Sequence, residues 1–199
     1  MRRYQAALIA VTAIVIAAIA AYVLYGGNKP GGSGTALVGG PFTLVDQNGR
    51  TRTEKDFAGS YMLVYFGYTF CPDVCPTALQ VMSQAMDRLD PPVAAKIVPV
   101  FVTVDPARDT ASQLKGYVGN FHPRLVGLTG TEEQVAAAAK AYRVYYAKSK
   151  ETAASSDYLM DHSSVVFLMG PNGRYLTHFT HNAPSDRMAE ALAGYVRGK

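Results

Sequence analysis

Residues 61–76 read YMLVYFGYTFCPDVCP. The first ten form a nearly unbroken apolar run, the pattern of a central strand with both faces covered. The remainder holds both cysteines of the chain, Cys71 and Cys75, with three residues between them and each followed by a proline. A residue before proline is pushed toward extended geometry, and proline is comfortable in the first turn of a helix. A helix is therefore expected from Pro76 to Leu89, where Leu79, Val81, Met82, Met86 and Leu89 recur near helical spacing. That places Cys75 at the N-cap and Cys71 in the preceding loop. Unpaired N–H groups at such an end favour thiolate over thiol, here at Cys75.

On either side of this unit, elements alternate. Before it, FTLVDQNGR is a strand entering an Asn48-Gly49 turn, a strong hairpin signal. After it come a buried strand in KIVPVFVTVD, weakened locally by Pro99, and a helix over Thr110–Tyr117. LVGLTG is a short strand, and an Ala-rich helix capped by Thr131 is expected over Glu132–Tyr146. SSVVFLMGPNGRYLTHF reads as strand, Asn172-Gly173 turn and returning strand, and a last helix runs from Ser185 to Val196. The fold class is α/β: a thioredoxin-like mixed sheet covered by helices on both faces. Fold alone does not give function.

The N-terminal residues are different in kind. Residues 6–25 carry no charge, and about 20 such residues cross a hydrocarbon core of roughly 30 Å. Residues 1–5 include Arg2 and Arg3, which keep that end cytoplasmic under the positive-inside rule. The expectation is a single-pass anchor, with a cleaved signal peptide ending near Ala18-Ile19-Ala20 as the alternative. Residues 26–40 contain seven glycines and read as a flexible tether, leaving 41–199 as the folded domain. Of the 19 Lys and Arg, three (Arg2, Arg3, Lys29) precede that domain, so 16 positive charges face 15 negative ones. A near-neutral domain gives no argument for nucleic acid. Two cysteines are too few for a disulfide-stapled scaffold and read as a working pair.

Three intervening residues exceed the two of thioredoxin-type redox motifs, leaving room for both sulfurs to face one ion. Such a pair needs a further ligand. Of the four histidines, His162 immediately precedes a predicted core strand, where thioredoxin relatives place a proline facing their disulfide. His162 is therefore expected to reach the sulfurs. His122 is expected at the surface, and His178 with His181 form a weaker second candidate site. Met62, Met82, Met86 and Met169 fit core positions. In VDPARDT, Asp109 or Thr110 is expected to cap the following helix, with Arg108 in a surface ion pair.

GYTFCPDVCP, VDPARDT and DHSS, in this order, resemble the Sco/SenC family of copper-delivery proteins for cytochrome c oxidase. The likeness runs from about residue 40 to the end. It implies a membrane-tethered thioredoxin-like domain binding one copper ion through Cys71, Cys75 and His162. Thiolate and imidazole suit copper as Cu(I) or Cu(II), and three protein ligands leave a site open for transfer. Zinc in a structural site usually takes four. Asp73 and Asp161 are the carboxylates nearest in sequence, with Asp161 a candidate to orient the imidazole. The partners implied are cytochrome c oxidase subunit II, at its binuclear copper A centre, and an upstream copper donor protein. The location implied is a bacterial inner membrane with the domain in the periplasm. The alternative is a thiol-disulfide oxidoreductase that keeps the subunit II cysteines reduced through Cys71 and Cys75.

Overall fold

A computed structural model of the chain describes residues 38–150, 152 and 158–198, together with Val15 and Ala20. The anchor expected over 6–25 and most of the tether over 26–40 lie outside these residues. Among the described residues no helix is long and apolar enough to cross a membrane. Leu37–Lys199 forms one compact unit.

The apolar run forms strand β3, Tyr61–Gly67, buried at every residue but Tyr61. It lies between β4 (Ile97–Thr103), parallel, and β8 (Val165–Met169), antiparallel. The sheet extends on one side through β5 (Val126–Thr129) to a hairpin of β1 (Thr43–Asp46) and β2 (Thr51–Thr53). On the other side it ends in β9 (Tyr175–Thr180). Both Asn-Gly turns are present, with Gly49 at φ 78° and Gly173 at φ 74°. Pro99 is tolerated because β5 pairs with β4 only from Val100 onward. At Pro99 the strand has a single neighbour, so the missing N–H leaves no ladder partner stranded.

Alternation along β3 sorts its side chains. Met62, Val64 and Phe66 face Ala138 of helix α3 (Glu132–Ala141) and the adjoining Tyr142. Phe66 and Tyr142 place their rings 5.2 Å apart. The opposite face is covered by α1 (Val74–Asp87), α2 (Ala111–Val118) and α4 (Ser185–Arg197). There Tyr65 meets Phe101, Phe101 meets Tyr117 of α2, and the Tyr61 hydroxyl donates to the Tyr195 carbonyl of α4. Burying side chains of this size stabilises the fold by about 1.5–3 kcal/mol each. Met62, Met82, Met86 and Met169 are core residues, as are Met160 and Met188.

Gly39 is already packed on the domain: its N–H donates to the Ala141 carbonyl, and an added Cβ would collide with Met169. One boundary differs from expectation. Helix α3 stops at Ala141 and does not reach Tyr146. Arg143 takes a left-handed φ of 57°, its N–H bonds to the Lys140 carbonyl, and the Val144 N–H bonds to the Ala139 carbonyl. This is a Schellman ending built without the usual glycine. The chain it releases forms β6 (Tyr146–Lys148), which pairs with β7 (Met160–His162) in a separate two-stranded sheet.

Candidate metal centre

Helix α1 starts two residues earlier than the prolines suggest. Asp73 is its N-cap, and Cys75 is the second helical residue. Pro76 still fits, because the first N–H groups of a helix have no intrahelical partner to lose. The Asp73 carboxylate does not cap the helix; it accepts from the Thr77 hydroxyl at 3.3 Å. Cys71 Sγ takes the capping role, accepting the Cys75 N–H at 3.3 Å. The positive end of the helix is thus aimed at Cys71.

The expectation of a thiolate at Cys75 is corrected accordingly. Both cysteines are free; Cys75 is fully buried and Cys71 half-buried. The Cys75 side chain hydrogen-bonds Cys71 and, against some desolvation, helps hold the Cys71 thiol down to about 4; the N–H groups of Cys75 and Asp73 add to this. Cys75 moves the other way, pushed up by the Cys71 sulfur and by burial. The helix-end N–H at Cys71 and the full burial of Cys75 favour the thiolate on Cys71 and the thiol on Cys75. Cys71 should therefore alkylate with iodoacetamide at pH 6 while Cys75 stays unlabelled. The rate should fall only as pH drops through about 4, where the Cys71 thiolate takes up its proton. Mass mapping of the labelled site checks this, and preferential labelling of Cys75 would refute it.

His162 closes the group. β7 ends against the mouth of α1, and His162 Nε2 lies 3.3 Å from Cys75 Sγ. The ligand atoms of Cys71, Cys75 and His162 lie within 4.8 Å of one another, the only such group of three among the described residues. His162 Nδ1 lies 3.3 Å from the Ser163 carbonyl. A carbonyl only accepts, so Nδ1 carries the proton, and in the neutral ring the Nε2 lone pair faces the sulfurs. The imidazole stands edge-on to Tyr65 at 6.0 Å and Tyr68 at 5.9 Å. Sequence reasoning missed both tyrosines. Both stand in the run that feeds the cysteines, Tyr65 within β3 and Tyr68 just past its end.

Asp161 does not orient the ring. Neighbouring residues of a strand point to opposite faces, and Asp161 is exposed while Met160 and His162 turn inward. The Ser163 carbonyl does that work. Asp73 contributes its backbone N–H to the Cys71 sulfur rather than a carboxylate. His122 is less exposed than expected: its side chain is 10% exposed and lies 3.6 Å from Asp87. Burial holds its pKa below the usual histidine value. His178 pairs with the Tyr175 hydroxyl at 2.6 Å, and no second metal group forms around it among the described residues.

The VDPARDT turn caps its helix and also reaches inward. Thr110 caps α2, accepting the Gln113 N–H at 3.2 Å. Asp109 instead turns inward and is fully buried, and Arg108 is paired with Asp105 beneath the surface rather than on it.

The SCO1/SenC family profile matches residues 30–197. The human mitochondrial SCO1 homolog is 42% identical over 165 residues, 82% of this chain and 54% of the human protein. The aligned region thus spans about half the length of that relative. Arabidopsis thaliana ScoI, solved with copper bound, superposes with a TM-score of 0.74 at 40% identity, covering 81% of this chain and 99% of that one. Bradyrhizobium japonicum ScoI, also solved with copper bound, gives 0.73 at 39% identity over 79% of this chain and 99% of that one. With a profile match across most of its length and relatives at this identity, the chain belongs to the SCO1/SenC family.

Proposed function

We propose that this protein carries one copper ion on Cys71, Cys75 and His162 and delivers it to cytochrome c oxidase, at the binuclear copper A centre of subunit II. One observation carries the reading: Nε2 of His162 stands 3.3 Å from Cys75 Sγ, in a cluster whose three ligand atoms lie within 4.8 Å. Two sulfurs and an imidazole suit copper, and similar Sco proteins hold copper in their solved structures. The Tyr65 hydroxyl fits the loaded state. It is buried with no hydrogen-bond partner among the described residues, and it neighbours the Cys75 sulfur. When copper displaces the Cys75 proton, that hydroxyl can donate to the new thiolate. Half-exposed Cys71 is the ligand an incoming acceptor meets first. An upstream donor loads the site, and the apolar run at 6–25 holds the domain at a bacterial inner membrane, facing the periplasm.

The test is transfer. The reduced chain should bind one equivalent of Cu(I), and mixing with reduced, copper-free subunit II domain should move the metal to the acceptor. A chain that binds no copper, or never releases it to subunit II, would defeat the proposal.

A second reading has its own support. The low-lying Cys71 thiolate beside a protonated Cys75 is the arrangement of a thiol-disulfide reductant. In that role Cys71 attacks a disulfide of subunit II and Cys75 then resolves the mixed disulfide, so the subunit II pair is reduced and Cys71–Cys75 oxidised. The reading requires no contribution from His162, which separates it from the first.

A further inference from the structure

The cluster needs its histidine and its cysteines at a fixed separation, yet they come from different parts of the chain. Cys71 sits in the loop after β3, and His162 ends β7 in the small second sheet. No strand pairing joins β7 to β3. The turn at residues 105–109 is bonded to the chain just past β3 and to the chain just before β7.

Its hold on the cysteine loop runs through Asp109. This buried carboxylate accepts the Thr69 N–H at 3.0 Å, the Thr69 hydroxyl, and the Thr103 hydroxyl at 2.6 Å. Thr69 lies two residues before Cys71. Its hold on β7 runs through Asp105, which is 3% exposed. Asp105 Oδ1 accepts the buried Tyr158 hydroxyl at 2.8 Å, and Oδ2 accepts from Arg108 Nε. Tyr158 lies four residues before His162. The Arg108 guanidinium fills the space between the two holds, 3.7 Å from the Tyr158 ring centre and 4.6 Å from that of Phe70, the neighbour of Cys71. Lys148 of β6 covers Tyr158 at 4.2 Å.

We infer that Asp105 is a positioning residue for His162, acting through the Tyr158 hydroxyl to hold the imidazole at the sulfur pair while Asp109 anchors the cysteine loop from the same turn. The inference rests on the copper-carrier reading. A hydrogen bond to a carboxylate is stronger than one between neutral groups, and metal sites commonly lose tenfold or more when the groups orienting a ligand are removed.

The test is a double-variant cycle on the full chain, read by Cu(I) competition against a chelator. Tyr158→Phe keeps the ring over Arg108 and removes only the hydroxyl. It should weaken binding about tenfold, and it should have no further effect once His162→Ala is present. Asp105→Asn, which keeps an acceptor oxygen but loses the charge, should shift affinity the same way by less. A metal-free readout accompanies these: the NMR signals of the His162 ring nitrogens should move in Tyr158→Phe and stay put in Lys148→Gln. Unchanged affinity in Tyr158→Phe, or an equal loss in the presence and absence of His162, overturns the inference and leaves the carrier reading standing. If His162→Ala itself binds copper as tightly as the parent chain, the carrier reading falls and the inference falls with it.

Discussion

Replacing His162 with alanine should weaken Cu(I) binding by more than about a hundredfold, since loss of groups that merely orient a ligand already costs 10–100-fold. The two sulfurs would remain, so binding should persist but with a less stable two-coordinate complex. Folding should be little affected. The imidazole makes one backbone contact, to the Ser163 carbonyl, and the pairing of Tyr146 with His162 belongs to the backbone. Cys71 should still react as a thiolate, because its closest support comes from Cys75 and the start of α1. Measuring copper affinity and iodoacetamide reactivity on the same sample separates the two functional readings. A variant that keeps parental copper affinity would remove the metal carrier from consideration. A variant that loses copper yet still restores oxidase assembly would show that thiol exchange is the work done in the cell.

Much of this site could be read before any coordinates. The apolar run at 61–67, the prolines after each cysteine and the position of His162 ahead of a core strand carry local signals, and those are the signals that survive folding. The errors share a cause as well. Cys75 as N-cap rested on proline chemistry alone; the true N-cap, Asp73, makes no capping bond with its side chain, so the usual cue is silent. The early end of helix α3 carries no sequence cue because it uses Arg143 in a conformation that glycine normally signals. The β6–β7 sheet was invisible because each strand has three residues and the partners are far apart in sequence. Asp161 is adjacent to His162 in sequence, but alternation along a strand puts adjacent residues on opposite faces. Asp109 reads as a candidate helix cap, since burial and long-range bonding leave no local trace.

Gly67→Ala should both destabilise the domain and damage the site, by about 1–3 kcal/mol for the fold. Gly67 is the last residue of β3, in register with Thr103 of β4. A Cβ there would lie 2.8 Å from Cys75 Sγ and 3.0 Å from ring atoms of both Phe101 and Tyr65. None of these can retreat cheaply. The Cys75 side chain is a single atom beyond Cβ, held on the first turn of α1, and the two aromatic rings are fully buried. Absence of a side chain at 67 therefore makes the room in which Cys75 approaches the strand end and meets His162. For a domain this size each kcal/mol lowers the thermal midpoint by about 2–4 °C, and displacing Cys75 from His162 should lower copper affinity in parallel. Gly116→Ala supplies the control. That glycine is exposed in α2 with nothing within 4 Å of a new Cβ, so the same added methyl should stabilise, by about 0.5–1 kcal/mol, and leave copper binding unchanged. Calorimetry and copper competition on the two variants decide the matter: a Gly67→Ala chain as stable and as tight for copper as the parent would mean that the strand end and α1 can separate without cost, and that the close fit between Gly67 and Cys75 does not govern where the sulfur stands.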